Sequence, residues 1–270
     1  MLNCVDMSRW GGELTRDEAS CLWGQGIRHL IVGCGHPNGA GTWALQQASM
    51  WLEVNPGATF DAYIYLYMAG SAAQQTRDAI RTLAALPPRM WWLDAEDVDS
   101  PGLTPGQRED FLNECLTVLG SRTAGIYTAR WWWPSNMANS QAFSHLPLWN
   151  SYYDGEPDTD GLPYGGWTES AIEQYQGTTN LCGQSVDLNY AKNLEDTVDQ
   201  SQFDTMADDY FARRLPNWLS LAGDERPDKF SDRPDIPMTF PYVPPHYHRY
   251  EIGDMSTDEP IPYAAEEATP

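Results

Sequence analysis

The order of segments in this 270-residue sequence predicts an α/β protein. The expected architecture is an irregular TIM-like β/α barrel with five β/α units, three further strands and a Pro-rich, acidic C-terminal tail. Three observations carry that expectation. Short β-rich runs alternate with segments of helical length through the first half, the pattern of a parallel sheet. Eight such runs are present, the number that closes a barrel of this kind. After the fifth run the helical period is lost, and the remaining runs follow one another across turn-rich sequence.

The strands are expected at LNCVD (2–6), HLIVGCG (29–35), FDAYIYLYM (60–68), MWWLDAE (90–96), AGIYT (124–128), PLWNSYY (147–153), IEQYQ (172–176) and VDLNY (186–190). Helices are expected over 15–25, 43–54, 71–86 and 105–121, the last opening with Thr104 as cap and Pro105 in the first turn. Residues 154–171 read as turns. Only the nine residues GTTNLCGQS separate the last two strands. A parallel crossover needs about a dozen residues or more, so these two should form a hairpin. The barrel domain is expected over 1–200. Residues 201–270 hold 10 of the 20 prolines and should form a short helix near 202–214 followed by an extended segment, either a disordered or wrapping tail or a small attachment segment.

Composition narrows the function. At 41% hydrophobic and 12% aromatic residues, the chain can build a substantial core. Its formal net charge of -22, with only 16 Lys and Arg, argues against nucleic acid and against an anionic membrane surface. Acidity of this kind commonly serves solubility. No stretch approaches the ~20 apolar residues of a membrane span, and Met1 is followed by LNCVDMS without a basic, then apolar, leader. Synthesis in the cytoplasm without a signal peptide is therefore expected, with any action on a cell wall following release. Cys4, Cys21, Cys34, Cys115 and Cys182 are odd in number and lack CxxC spacing, which reads as free, mostly buried thiols. His246 and His248 have strand-like ligand spacing but no acidic or Cys partner at a set distance, so neither a metal site nor a cofactor is expected. The chain is expected to be a monomer.

The stretch MWWLDAEDVDS (90–100) carries the chemistry. Four acids directly after an apolar run suit a solvated loop, a divalent metal site or acid–base catalysis. An oxygen-rich set of Asp94, Glu96, Asp97 and Asp99 could hold calcium, but the Gly and position-12 Glu of an EF-hand loop are missing. Asp94 and Glu96 share one face at the end of the fourth strand, about 6–7 Å apart along it. Active sites of β/α barrels gather at the C-terminal strand ends. Asp6, ending the first strand, and Asp187, opening the eighth beside the hairpin loop, land on the same rim. Asp97 and Asp99 read as a solvated loop. Like charges in a partly dry cleft hold at least one carboxyl protonated near neutral pH while its neighbours stay charged. Glycoside hydrolysis requires that division. Tyr63, Tyr65, Tyr127, Trp149, Tyr152 and Tyr175 fall near strand ends and could stack on sugar rings or pack the core. Trp131, Trp132 and Trp133 could form a sugar platform or cover the barrel top.

The ordered set VDMSRWGG, AYIY, LDAED, GIYT, LPLWNSYY, EQYQG and SVDLN resembles the glycoside hydrolase family 25 lysozymes, the N-acetylmuramidases found among phage endolysins, over roughly residues 2–194. The resemblance implies a peptidoglycan hydrolase acting on glycan strands at the β-1,4 bond between N-acetylmuramic acid and N-acetylglucosamine. Glu96 would be the general acid, Asp94 its companion carboxylate, and Asp6 and Asp187 outer acids of the cleft. Tyr63 matches a site tyrosine, and Gln174 and Tyr175 a wall motif on the seventh strand; Tyr127, Trp149 and Tyr152 complete the expected substrate-binding set. Two stretches depart from the family pattern: VGCGHPNGAGT where KATEG-T is usual, and Ile64 where His is usual. A non-catalytic wall-binding or virion protein, or a glycosidase for another amino-sugar polymer, are the rival readings.

Overall fold

A computed structural model of the chain describes residues 3–35, 43–55, 57–158 and 160–192. The tail expected over 201–270, with its helix near 202–214 and His246 and His248, lies outside the described residues.

Eight strands close a barrel in sequence order. They are β1 (Cys4–Met7), β2 (His29–Gly35), β3 (Thr59–Tyr65), β4 (Trp91–Asp94), β5 (Ala124–Ala129), β6 (Leu148–Ser151), β7 (Ile172–Leu181) and β8 (Gln184–Ala191). β1 through β7 pair in parallel, whereas β8 runs antiparallel to both β7 and β1 and so closes the ring. Helices α1 (Arg16–Gly24), α2 (Ala44–Val54), α3 (Ala72–Thr82) and α4 (Pro105–Leu119) follow the first four strands, and α5 (Trp133–Asn136) is a single turn after β5. Thr15 with Glu18 and Thr104 with Gln107 form reciprocal capping boxes, which fix where α1 and α4 start. The hairpin expectation holds, but the connection is far shorter than nine residues. The polar and β-branched run GTTNL continues β7, and the turn narrows to Cys182 and Gly183, both at positive φ.

Strand alternation divides the core into two. Val5, Met7, Trp91 and Leu93 point outward into the layer beneath the helices. Cys4, Ile31, Trp92, Tyr127 and Trp149 fill the barrel interior. Two interior glycines make room for aromatic rings. A Cβ at Gly125 would lie 2.5 Å from the Trp92 ring, and one at Gly33 would lie 2.6 Å from the Tyr63 hydroxyl.

Toward the N-terminal end of the interior sits a buried ionic group centred on Asp61. Its carboxylate accepts from Arg89 Nε at 3.1 Å, Arg89 Nη2 at 3.2 Å and Trp92 Nε1 at 3.0 Å, and lies 3.1 Å from His29 Nε2. Burial alone would raise the Asp61 pKa, but His29 and Arg89 bring it down to about 2.

The structure corrects the cysteine expectation for one pair. Cys21 on α1 and Cys182 at the hairpin tip form a disulfide with a Cα–Cα distance of 5.8 Å. Their separation of 161 residues hides the pairing from any spacing rule. Cys4, Cys34 and Cys115 are buried free thiols, as expected.

Candidate active site

The C-terminal mouth of the barrel is where the acids meet. β4 ends on Asp94, buried, with Glu96 two residues on and partly exposed. β1 presents Asp6, which is only 6% exposed. Asp187 pairs with Asp6 in the antiparallel β1–β8 register, so the two carboxyls are cross-strand neighbours. Like charges directly opposite are destabilising unless something else holds them.

Gln174 on β7 does part of that holding. Its Nε2 donates to Asp6 Oδ2 at 2.8 Å and to Asp187 Oδ2 at 3.2 Å. Its Oε1 accepts from the hydroxyls of Tyr127 and Tyr153, each at 2.7 Å. Asn189 on β8 donates from Nδ2 to the same Asp6 oxygen at 2.8 Å. The backbone N–H of Thr178, a residue at positive φ, donates to Asp187 Oδ1. Asp94 Oδ1, by contrast, is buried without a hydrogen-bond partner among the described residues.

The electrostatics follow from this crowding. Burial, then Asp187, pushes Asp6 up to about 8, against the lowering effect of Asn189 and Gln174. Burial and Asp187 push Glu96 up to about 7. Asp94 is raised by burial, then by Glu96, Asp6 and Asp97, and Asp187 is raised by burial. The mouth therefore holds protons that isolated carboxylates would have released.

Tyr63 lies among all four acids; burial and then Asp6, Asp94, Asp187 and Glu96 raise its hydroxyl. Trp149 stacks edge-on to Tyr63, Trp92 and Tyr127, the last at 4.5 Å between centroids. Tyr152 stands exposed beside Gly161. Tyr175 is buried and takes no part in the hydrogen bonds around the acids; its backbone carbonyl accepts from Gly155 N. Among the three consecutive tryptophans the roles divide. Trp132 and Trp133 are core, whereas Trp131 is 59% exposed.

Asp97 corrects the expectation of a surface acid. It is 1% exposed, accepts from the backbone N–H groups of Met68 and Asp99 at 2.7 Å each, and its carbonyl accepts from Trp132 Nε1. It fastens the loop that carries Glu96, and of the two later acids only Asp99 is exposed. Residue reading missed Asn189 and Tyr153. Both lie one or two positions from residues it singled out, Asp187 and Tyr152, but nothing in the sequence names their partners. Among the described residues, no group of three or more His, Cys, Asp or Glu side chains is arranged to hold a metal ion.

Fold and site together define a β/α-barrel of the glycosidase type, with an acid cluster in the C-terminal mouth. A family profile described as lysozyme-like protein 1 matches residues 4–175, a span that ends before β8. Counting factor 50 of Dictyostelium discoideum is 34% identical over 129 residues, covering 46% of this chain and 42% of the relative. Probable GH family 25 lysozyme 3 of the same organism is 31% identical over 144 residues, covering 50% of this chain and 30% of the relative. The chain thus spans less than half the length of either relative. The solved muramidase of Acremonium alcalophilum superposes with a TM-score of 0.59 at 21% identity, covering 73% of this chain and 96% of that one. The chain belongs to the lysozyme-like proteins of glycoside hydrolase family 25.

Proposed function

We propose that the protein is a peptidoglycan hydrolase that cleaves the β-1,4 bond between N-acetylmuramic acid and N-acetylglucosamine. The observation that carries this reading is the arrangement of the mouth: a partly exposed Glu96 that keeps its proton up to about pH 7, beside the buried Asp6 and Asp94 and the partly exposed Asp187. Glu96 donates that proton to the leaving glycosidic oxygen. Asp94 Oδ1, which has no hydrogen-bond partner among the described residues, accepts the N–H of the 2-acetamido group and polarises its carbonyl. The carbonyl oxygen attacks the anomeric carbon as the C–O bond to the leaving sugar breaks, giving a cyclic oxazolinium. Water then opens that ring, losing a proton to Glu96, and the product keeps the β configuration. Asp187, and Asp6 in its ionised form, support the oxocarbenium-like charge. Tyr63, Tyr127, Trp149, Tyr152, Gln174 and Tyr175 remain the candidates for shaping the sugar cleft.

The substrate lies outside a cell, so the protein acts after release from the cell that makes it. The Cys21–Cys182 disulfide fits an oxidising medium of that kind. Mass spectrometry of digested peptidoglycan tests the bond: fragments ending in reducing N-acetylmuramic acid are expected, and reducing N-acetylglucosamine or freed peptides would refute it. Proton NMR of the first-formed reducing end tests the stereochemistry, and an initial α-anomer would exclude retention.

A further inference from the structure

Asn189 is fully buried in β8 and makes three hydrogen bonds that leave no freedom in how its amide is turned. The Trp149 indole N–H donates to Oδ1 at 2.8 Å. An indole N–H cannot accept, so the atom facing it must be the amide oxygen. The amide nitrogen then faces Asp6 Oδ2 at 2.8 Å and the backbone carbonyl of Asp187 at 3.2 Å. Rotating the amide by half a turn would set N–H against N–H at Trp149 and oxygen against carboxylate at Asp6.

The surroundings of Asp6 give this fixed donor its importance. Asp187 faces it from β8, Asp94 and Glu96 from β4, Tyr63 from β3 and Cys4 from its own strand. β2 places the apolar Ile31 opposite it in register, and β7 contributes only the neutral Gln174. Among the described residues no salt bridge reaches Asp6. Neutral N–H donors are therefore its whole counterweight to burial and to neighbouring negative charge. Asp94, in the same mouth, has an unpartnered oxygen and no such donor pair.

We infer that Asn189 is a positioning residue for the reaction: locked by the Trp149 indole, its amide holds the Asp6 carboxyl in place and favours its anionic form against burial and the neighbouring acids. Asn189 does not touch the reacting atoms; it acts through Asp6. The inference rests on the hydrolytic reading above for its effect on rate, but its effect on Asp6 is independent of that reading.

Two variants test it. Asn189→Leu removes the donor in similar volume, and Trp149→Phe keeps an aromatic ring but removes the group that fixes the amide. The titration of Asp6 is followed by carboxyl carbon-13 NMR, assigned by loss of the signal in Asp6→Asn. In Asn189→Leu the Asp6 midpoint is expected to move up by about one unit or more, and in Trp149→Phe by less in the same direction. On peptidoglycan, the acidic limb of kcat/KM should move upward with it. At a fixed pH on that limb kcat should fall about tenfold with little change in KM. An unchanged Asp6 midpoint in both variants would overturn the inference, as would a moved midpoint with unchanged kcat. Should Asn189→Leu fail to fold, Trp149→Phe decides alone. A moved midpoint in a protein that does not cleave peptidoglycan would retain the hold on Asp6 and refute the proposed function.

Discussion

Asp61 and Asp6 are both buried aspartates inside the same barrel, 0% and 6% exposed, yet they behave in opposite ways. Asp61, toward the N-terminal end, is surrounded by donors: Arg89, His29 and the Trp92 indole. It stays ionised down to about pH 2. Asp6, in the mouth, is surrounded by other acids and keeps its proton up to about pH 8. The difference teaches that burial pushes both carboxyls up and the neighbours decide whether the rise stands: His29 and Arg89 reverse it at Asp61, and Asp187 adds to it at Asp6. One end of the barrel uses its buried aspartate for cohesion, and the other holds a costly acid cluster of the kind the proposed chemistry requires.

Breaking each end in turn should expose that division. The largest effect is expected at the mouth. Glu96→Gln removes the proposed proton donor but keeps the shape, and turnover of purified wall should fall by roughly 10²–10⁴ while the melting temperature holds or rises. Wild-type-like turnover in that variant would remove Glu96 from its role. At the other end, Asp61→Asn leaves Arg89, His29 and Trp92 facing a neutral amide. Urea unfolding should show a loss of about 3 kcal/mol or more. A loss well under 1 kcal/mol would mean the ionic group is not cohesive.

The pH dependence of stability sharpens the same contrast, because the two ends contribute with opposite sign. Asp6 and Glu96 have folded pKa values raised to about 8 and about 7 from ordinary values of 3.8 and 4.5. Between those limits the folded state binds more protons than the unfolded chain, so stability falls as pH rises from about 4 to 8. Asp61 is lowered from 3.8 to about 2, so its contribution is complete above about 4 and is lost as pH falls toward 2. Thermal melts across pH should therefore peak on the acidic side of neutrality, near pH 4–5. Asp61→Asn should flatten the acidic flank. The smallest effect is expected for Asp6→Asn, which should flatten the alkaline flank and stabilise the fold at pH 8 by about 1 kcal/mol. A destabilised Asp6→Asn protein at pH 8 would show that the mouth is less strained than its neighbours imply.

Much of this was legible in sequence, and what was not has a common physical cause. Alternation along LNCVD and MWWLDAE places Asp6, Asp94 and Glu96 on inward faces, because side-chain direction in a strand is a local property. The short GTTNLCGQS segment likewise forces β8 to return antiparallel. Partnership is not local. Asp97 sits in a run of acids that reads as solvated, and only the loop's path shows the Met68 N–H that buries it. The Asp61 group joins residues from β2, β3, β4 and the turn before β4, and no pattern in any one segment announces it. Asn189 is an ordinary strand residue until Trp149, 40 positions away, fixes its amide.

The disulfide at the hairpin tip has a topological consequence. Joining α1 to the β7–β8 turn, it makes everything between Cys21 and Cys182 a closed covalent loop that threads through six of the eight strands, β2 to β7. A single backbone cut in any exposed connection inside that loop, such as residues 154–158, would not free a fragment. The nicked chain would migrate as one species until a thiol is added, and its two pieces would stay at high effective concentration for each other. For a protein proposed to work among extracellular proteases, one bond thus turns strand scission from loss of the molecule into a change of its connectivity.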